Sequence, residues 1–198
     1  MKRTSSIVAS IAWAVSSMYS TIGYSDELKP TKLLTPQVDG GRPLMQMLRD
    51  RSSSHLFGAQ KLPDQILSNL LWAAFGINRP NNGKRTAPSA VNWQEIDIYV
   101  ATAESLYLYD AKNQTLTTIL SKGIRSATGR QNFVKEAPVN LIYVADFSRM
   151  GTASKDDKEF YSAADTGFIS QNAGQSTSKH WLMLCSYDPS RRSCWHNQ

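Results

Sequence analysis

Cysteine is scarce in this chain of 198 residues: the only two, Cys185 and Cys194, lie within the last fourteen positions. A small domain stapled by disulfides carries several cysteines spread along its length, so this sequence contains no readable disulfide framework. The two cysteines stand near His180 and His196, but the spacings among these four residues match no common zinc site. No metal site is therefore predicted.

A hydrophobic run long enough to cross a bilayer is also missing. The most apolar stretch, residues 7–18, is interrupted by serines and is shorter than the ~20 residues that a membrane helix needs. Lys2 and Arg3 precede it and small polar residues follow it, a pattern typical of a signal peptide. Residues 1–25 are thus predicted to be a signal peptide and the protein to be exported, to the periplasm or out of the cell. Without such a signal the protein would be cytoplasmic.

A concentrated patch of basic residues is absent as well, although the formal net charge is +6. Lys2 and Arg3 carry two of these charges and residues 173–198 carry two more, so the body of the chain has an excess of only two. Nucleic-acid binding needs basic side chains gathered on one surface, because they neutralise a row of phosphates. No nucleic-acid partner is predicted.

Familiar catalytic motifs are missing too. Six residues separate Gly76 from Gly83, whereas a phosphate-binding loop of the P-loop type has four and follows a strand. Serines 52–54 stand beside His55, but adjacent residues in a turn rarely act as nucleophile and base, and no acid that would orient the histidine is evident. The acidic residues at 156, 157 and 159 are typical of a solvated helix start. No catalytic side chain is assigned.

What is present indicates one globular domain with a substantial core, since 41% of the residues are hydrophobic and 19% are charged. Apolar residues that recur every three to four positions predict helices, and apolar residues that alternate with polar ones predict strands. Three helices are predicted. The first begins at Pro43, the second begins at residues 63–64 and ends at Gly76, and the third covers residues 156–172. The predicted strands cover residues 96–100, 106–109, 115–119 and 139–145, and residues 78–87 are predicted to be a loop.

Composition divides the chain into four parts. After the signal, residues 26–42 are polar with prolines and glycines and are predicted to form a surface arm; residues 43–172 form the domain. Residues 173–198 show no sustained period and hold both cysteines and two of the three histidines. This tail lacks the apolar stripe needed to offset about 1–2 kcal/mol of backbone entropy per ordered residue. It is therefore predicted not to pack as part of the domain.

The loop Arg-Ser-Ser-Ser-His at residues 51–55 has the chemistry of a phosphate site. Phosphate binding needs fixed positive charge and short hydroxyl or N–H donors, which arginine and serine provide. The alternative is a solvated polar loop, because serines are common in such loops. The candidate binding residues are Arg51, Ser52, Ser53 and His55.

A second candidate is Asn92, in the Pro-Ser-Ala-Val-Asn-Trp-Gln sequence of residues 88–94. An apolar helix and a polar loop precede this turn, and an alternating strand follows it. The asparagine amide offers both a hydrogen-bond donor and an acceptor, which suits a ligand with both kinds of group along one edge. The alternative is that Asn92 satisfies local backbone groups at the entry to the strand.

The order of these elements over residues 67–100 resembles the second helix and first core strand of the FMN-dependent nitroreductase family. The resemblance covers about residues 43–172, and it includes sequences similar to the family's central helix at 131–134, core strand at 137–146 and dimer helix at 165–172. It implies an α+β, nitroreductase-like fold, with a central, mostly antiparallel sheet flanked by helices. Since the tail does not match, this fold would be truncated at its C-terminal end.

The resemblance also implies FMN as the cofactor. Arg51 and Ser53 match the family's phosphate motif, in which Ser52 and His55 stand where the family has basic residues. Asn92 matches the asparagine that hydrogen-bonds the flavin ring.

By this resemblance the protein is an oxidoreductase that passes electrons from NAD(P)H to a nitroaromatic or quinone-like acceptor, with chemistry supplied by the cofactor. Family members are homodimers with FMN at the interface, which the unmatched tail would leave incomplete. One alternative is a truncated or frame-shifted nitroreductase-like domain without catalytic activity. Another is a secreted binding module that uses its apolar cleft for a different ligand.

Overall fold

The structure, a computed structural model, describes residues 29–52, 56–58, 60–176, 182–188 and 193–196, the last two ranges as backbone only. The predicted signal peptide, residues 1–25, lies outside the described residues. Within the described part, no helix is both long and apolar enough to cross a membrane.

A seven-stranded sheet organises the described part of the chain. Its strands are β1 (Thr31–Lys32), β4 (Ile96–Ala101), β5 (Leu106–Asp110), β6 (Thr115–Leu120), β7 (Val139–Ala145), β8 (Leu182–Asp188) and β9 (Ser193–His196), while the two strands between β1 and β4 in the chain form a separate hairpin. The order in the sheet is β1-β6-β5-β4-β7-β8-β9, and neighbouring strands are antiparallel except β7 and β8, which are parallel. The predicted α+β fold with a mostly antiparallel sheet is confirmed.

The core lies where β4 and β7 pair, with Ile98 opposite Tyr143 and Val100 opposite Leu141. Helix α2 (Asp64–Phe75) and helix α3 (Lys155–Ser176) contact each other and add apolar side chains to the same core. Each large apolar side chain buried there contributes about 1.5–3 kcal/mol. The core members from the helices are Leu70, Leu71, Ala74, Phe75, Ile169 and Ala173.

Most predicted elements are confirmed. Helix α2 begins after Pro63, whose fixed φ suits a helix start, and ends at Gly76. A short helix, α1 (Leu44–Asp50), follows Pro43. The predicted hairpin is β5 and β6, and the predicted buried strand is β7.

Three segments differ from the expectation. The predicted loop at 78–87 contains a two-stranded hairpin, β2 (Ile77–Arg79) and β3 (Lys84–Arg85), which turns through Gly83 at a φ of 65°. The segment similar to the family's central helix is a single 3₁₀ turn, Asn132–Lys135. The described part of the arm adds β1 to the sheet edge and buries Leu33.

The prediction that residues 173–198 stay outside the domain is wrong. Helix α3 continues to Ser176 and buries Ala173, and β8 then pairs with β7 in parallel register. Strand β8 has only seven residues, too few to give the tail a sustained helical or strand period. Its short apolar run, Leu-Met-Leu-Cys at 182–185, is typical of a buried strand, and the open edge of β7 offers it a complete hydrogen-bond ladder.

Candidate functional site

The turn at residues 89–94 connects the β2–β3 hairpin to the central strand β4. Three of its residues lie in the left-handed region, with φ values of 51° at Val91, 60° at Asn92 and 51° at Gln94. The turn is closed from within, because the Gln94 N–H donates to the Ser89 Oγ at 2.7 Å and the Asn92 N–H donates to the Ser89 carbonyl at 3.0 Å. Strained backbone held by such bonds is common where a protein binds a ligand.

Val91 carries the largest strain, since a β-branched side chain is poorly tolerated in the left-handed region. Its side chain is 82% exposed, so little packing offsets the strain. We predict that Val91→Gly raises the free energy of unfolding by about 0.5–1 kcal/mol, which is the relieved strain less the greater entropy of glycine in the unfolded chain. Urea unfolding measures this. The exposed Val38 has no positive φ, and Val38→Gly should lower stability; equal destabilisation by both changes would refute the strain.

Asn92 is exposed at the tip of this turn, and its side chain does not cap local backbone in the described structure. Its Oδ1 accepts a hydrogen bond from Gln94 Nε2 at 3.2 Å. Within the described part of the chain the Asn92 NH₂ group donates no hydrogen bond, so two N–H donors face outward. Asparagine also tolerates the left-handed region better than most residues. The amide is thus exposed at the surface and not bonded to local backbone. Its role in binding a ligand stays a prediction.

Arg85 fixes the turn from the hairpin side. Its Nε donates to Gln94 Oε1 at 2.7 Å and its Nη1 donates to the Phe75 carbonyl at 2.9 Å, at the end of α2. The guanidinium carbon lies 4.4 Å from the centroid of the Phe75 ring, within cation–π range. Burial lowers the pKa of Arg85, which nonetheless stays far above neutrality as for any arginine.

Two buried carboxylates fix the turn from the helix side. Glu95 is fully buried at the start of β4, and Asp165 of α3 is 3% exposed. Asp165 Oδ2 accepts the Ala90 N–H at 2.9 Å, and Glu95 Oε2 accepts from the Ser89 hydroxyl at 3.3 Å. Burial raises the pKa of Glu95, and the nearby charge of Asp165 adds to this.

Arg149, in the 3₁₀ turn after β7, supports the end of the turn. Its Nη1 donates to the Gln94 carbonyl at 3.1 Å, and its Nη2 pairs with Asp97 at 2.8 Å. That four side chains act on one turn could not be predicted from the sequence, because they come from four separate segments of the chain: Arg85, Glu95, Arg149 and Asp165.

The predicted phosphate loop follows α1. Arg51 and Ser52 are exposed, while Ser53 and His55 lie outside the described residues. Helix α1 buries no residue within the described structure. No hydrogen bond or ion pair of the described residues joins Arg51 or Ser52 to the 89–94 turn. The two halves of the predicted site are therefore not brought together by direct bonds within the described part of this chain.

A cavity of about 200 Å³ lies at the other end of the sheet. It is lined by residues that precede β7 and follow β4, such as Pro138, Thr102 and Glu104, together with Lys61 and Arg125. Asn92 precedes β4 and does not line this cavity. The cavity is therefore separate from the 89–94 turn.

Comparison with known proteins agrees with this fold. A family model described as "Nitroreductase family" matches residues 48–173. The crystal structure of a provisionally assigned nitroreductase from Ralstonia eutropha JMP134 is 39% identical, with a TM-score of 0.72, and covers 77% of this chain and 73% of that chain. A provisionally assigned nitroreductase from Methanocaldococcus jannaschii is 27% identical over 139 residues, which are 65% of this chain and 70% of the relative.

Another structure, a provisionally assigned nitroreductase from Anabaena variabilis, shares the fold with a TM-score of 0.54 and 20% identity, over 66% of this chain and 29% of that one.

Proposed function

Because this chain belongs to the nitroreductase family, whose cofactor is FMN, we propose that it is an oxidoreductase that passes electrons from NAD(P)H to a nitroaromatic or quinone-like acceptor. FMN, when bound, supplies the hydride and electron transfer. The protein's own residues bind and orient the cofactor and shape the space beside it. No side chain need act as acid or base.

The observation that carries this proposal is the exposed amide of Asn92 on a braced turn. A flavin ring presents alternating carbonyl and imide groups along one edge, so it needs donors and acceptors at fixed positions. The outward NH₂ group of Asn92 supplies donors, and the bonds of Gln94 to Asn92 and Arg85 limit the movement of the turn. The donor set therefore fits the edge of a flavin ring.

The phosphate end of FMN would be held by the loop after α1. Arg51 supplies the fixed positive charge and Ser52 a hydroxyl donor, with Ser53 and His55 completing the loop. Both described members are exposed and accessible to a ligand. Charge-assisted bonds of arginine to phosphate are stronger than neutral hydrogen bonds, so Arg51 should contribute most.

A second copy of the chain is proposed to bring the two ends together, since FMN lies at the dimer interface in the family. Apolar side chains that a lone chain would leave in water support this dimer. Phe160 and Phe168 of α3 are exposed, as are Met45 and Leu48 of α1, and Val91 projects from the turn itself. Sedimentation should therefore show a dimer that contains FMN.

Asn92→Leu is expected to weaken FMN binding about tenfold, because an amide hydrogen bond to the ring edge contributes about 1–1.5 kcal/mol. Leucine also fits the left-handed region poorly, so Asn92→Gly, which removes the amide without that strain, is the matched variant. Fluorescence titration with FMN measures the affinity of each protein. If both variants fold and bind FMN as tightly as the wild type, Asn92 does not contact the flavin.

Arg51→Ala should also weaken FMN binding, by about tenfold to a hundredfold, because a hydrogen bond to a charged group contributes about 1.5–3 kcal/mol. Riboflavin, which lacks the phosphate, should bind the variant and the wild type equally. The control is Arg49→Ala, which removes an exposed arginine of α1 that pairs with Asp50. An equal loss for riboflavin would show that Arg51 does not bind the phosphate. A wild-type protein that is colourless and takes up no FMN would favour the non-catalytic alternative.

A further inference from the structure

Glu95 and Asp165 form a buried carboxylate pair that flanks the 89–94 turn. Asp165 reaches across from α3 to accept the Ala90 N–H, and Glu95 accepts from the Ser89 hydroxyl, so both ends of the pair hold the same turn. The second oxygen of Glu95, Oε1, has no hydrogen-bond partner in the described part of the chain. A carboxylate oxygen buried without a partner is costly unless the group carries a proton.

No cation compensates the pair among the described residues, where neither carboxylate forms a salt bridge. The cations that bond to the turn are Arg85 on β3 and Arg149 after β7. Arg85 bonds to the Gln94 side chain, and Arg149 bonds to the Gln94 carbonyl and to Asp97 and Asp146. Two buried carboxylates without a cation cannot both ionise cheaply, and burial together with the neighbouring Asp165 raises the pKa of Glu95.

We propose that Glu95 and Asp165 are positioning residues: Glu95 keeps a proton beside Asp165, and the two side chains thereby clamp the 89–94 turn to α3, which holds Asn92 at the flavin edge. The proposal rests on the proposed function, because it assigns the clamp to the FMN site. With that proton present, Asp165 accepts the Ala90 N–H and the neutral Glu95 accepts from the Ser89 hydroxyl without adding a second charge to the buried site. Loss of that proton places two negative charges in one buried site, and their repulsion loosens the turn.

The clamp makes flavin affinity dependent on pH in a defined direction. The pKa of Glu95 is raised in the folded protein, so the folded state holds its proton more tightly than the unfolded state does. The stabilisation is therefore complete at pH values below the ordinary pKa of a glutamic acid and is lost as pH rises through the raised pKa. Flavin affinity should fall over the same range.

The experiment measures the dissociation constants of FMN and riboflavin by fluorescence titration between pH 5 and pH 9. Riboflavin is included because the phosphate of FMN has its own pKa near 6. Wild-type affinity for both ligands should fall about tenfold as pH rises, while Glu95→Gln, which is uncharged at every pH, should give a flat profile. Asp165→Ala removes the acceptor of the Ala90 N–H and should weaken binding about tenfold at low pH, the effect of one lost charged hydrogen bond. Ser162→Ala is the control, since Ser162 is buried on the same helix but contacts Met150, and it should keep the wild-type profile.

Each result bears on the proposal. Equal profiles for wild type and Glu95→Gln would overturn it while leaving FMN binding established. A wild type that binds neither ligand at any pH would overturn the proposed function and the clamp together. Should both variants fail to fold, amide hydrogen exchange in the wild-type holoprotein decides: the protection factor of the Ala90 amide should fall as pH rises, and constant protection would refute the clamp.

Discussion

Deletion of residues 177–198 is expected to abolish cooperative folding. Strand β8 pairs with β7 through six residue pairs, from Val139 opposite Leu182 to Val144 opposite Tyr187. Without β8, the backbone N–H and C=O groups along one side of β7 lose their hydrogen-bond partners. Strand β7 is central to the core, since its Leu141 is completely buried. About six lost hydrogen bonds at about 0.5–1.5 kcal/mol each, with the apolar surface uncovered beside them, would consume most of a typical stability of about 5–15 kcal/mol. Near-ultraviolet circular dichroism and urea unfolding measure the outcome.

The matched control removes only residues 197 and 198, which follow the last strand β9, and should fold like the full chain. The exposed edge of β7 should also make the longer deletion prone to aggregate, because an unpaired strand is a template for another chain. A soluble product that lacks residues 177–198 but unfolds at the same urea concentration as the full chain would show that β8 adds nothing to the domain.

The elements that sequence predicts well are those whose signals are local. Pro63 and Gly76 bound α2 because proline suits a helix start and glycine a helix end, and both act without help from the rest of the chain. Strand β7 was readable because seven largely apolar residues end at Asp146, whose side chain caps the next turn by accepting the Ser148 N–H. Strand β8 could not be predicted from the sequence alone, because the short apolar run at 182–185 specifies a strand only where an open sheet edge is available to pair with it.

The candidate site shows the same contrast between residues with local sequence signals and residues brought together only by the fold. Asn92 could be proposed from the resemblance of its turn to the family's pattern, because the turn and the strand after it are continuous in sequence. Its contact with the flavin stays a prediction. Its supports could not be found: Asp165 lies more than seventy positions away, and Glu95 resembles any acidic residue at the start of a strand. Their proximity results from the packing of α3 beside β4. Strain at Val91 was equally hidden, since only backbone geometry reveals a valine in the left-handed region.

Arg85→Met is expected to lower both the stability of the protein and its affinity for FMN. Methionine fills a similar space but removes the bonds to Gln94 Oε1 and to the Phe75 carbonyl. Each hydrogen bond from a charged group contributes about 1.5–3 kcal/mol, so the free energy of unfolding should fall by about 3 kcal/mol. Gln94 then loses a bond that orients it toward Asn92, and FMN affinity should fall about tenfold, as for one lost hydrogen bond. Urea unfolding and FMN titration of the same samples measure the two effects.

Lys84→Met is the control, because Lys84 is the neighbouring residue of β3, carries the same charge and is exposed. A surface change of this kind should alter stability by no more than about 0.5 kcal/mol and leave FMN affinity unchanged. The comparison separates the hydrogen bonds of Arg85 from the general effect of removing a positive charge near an anionic cofactor, which both variants share. If Arg85→Met loses stability but binds FMN normally, Arg85 serves only the packing of α2. If Lys84→Met weakens FMN binding as much as Arg85→Met, the arginine acts through its charge and not through its hold on Gln94.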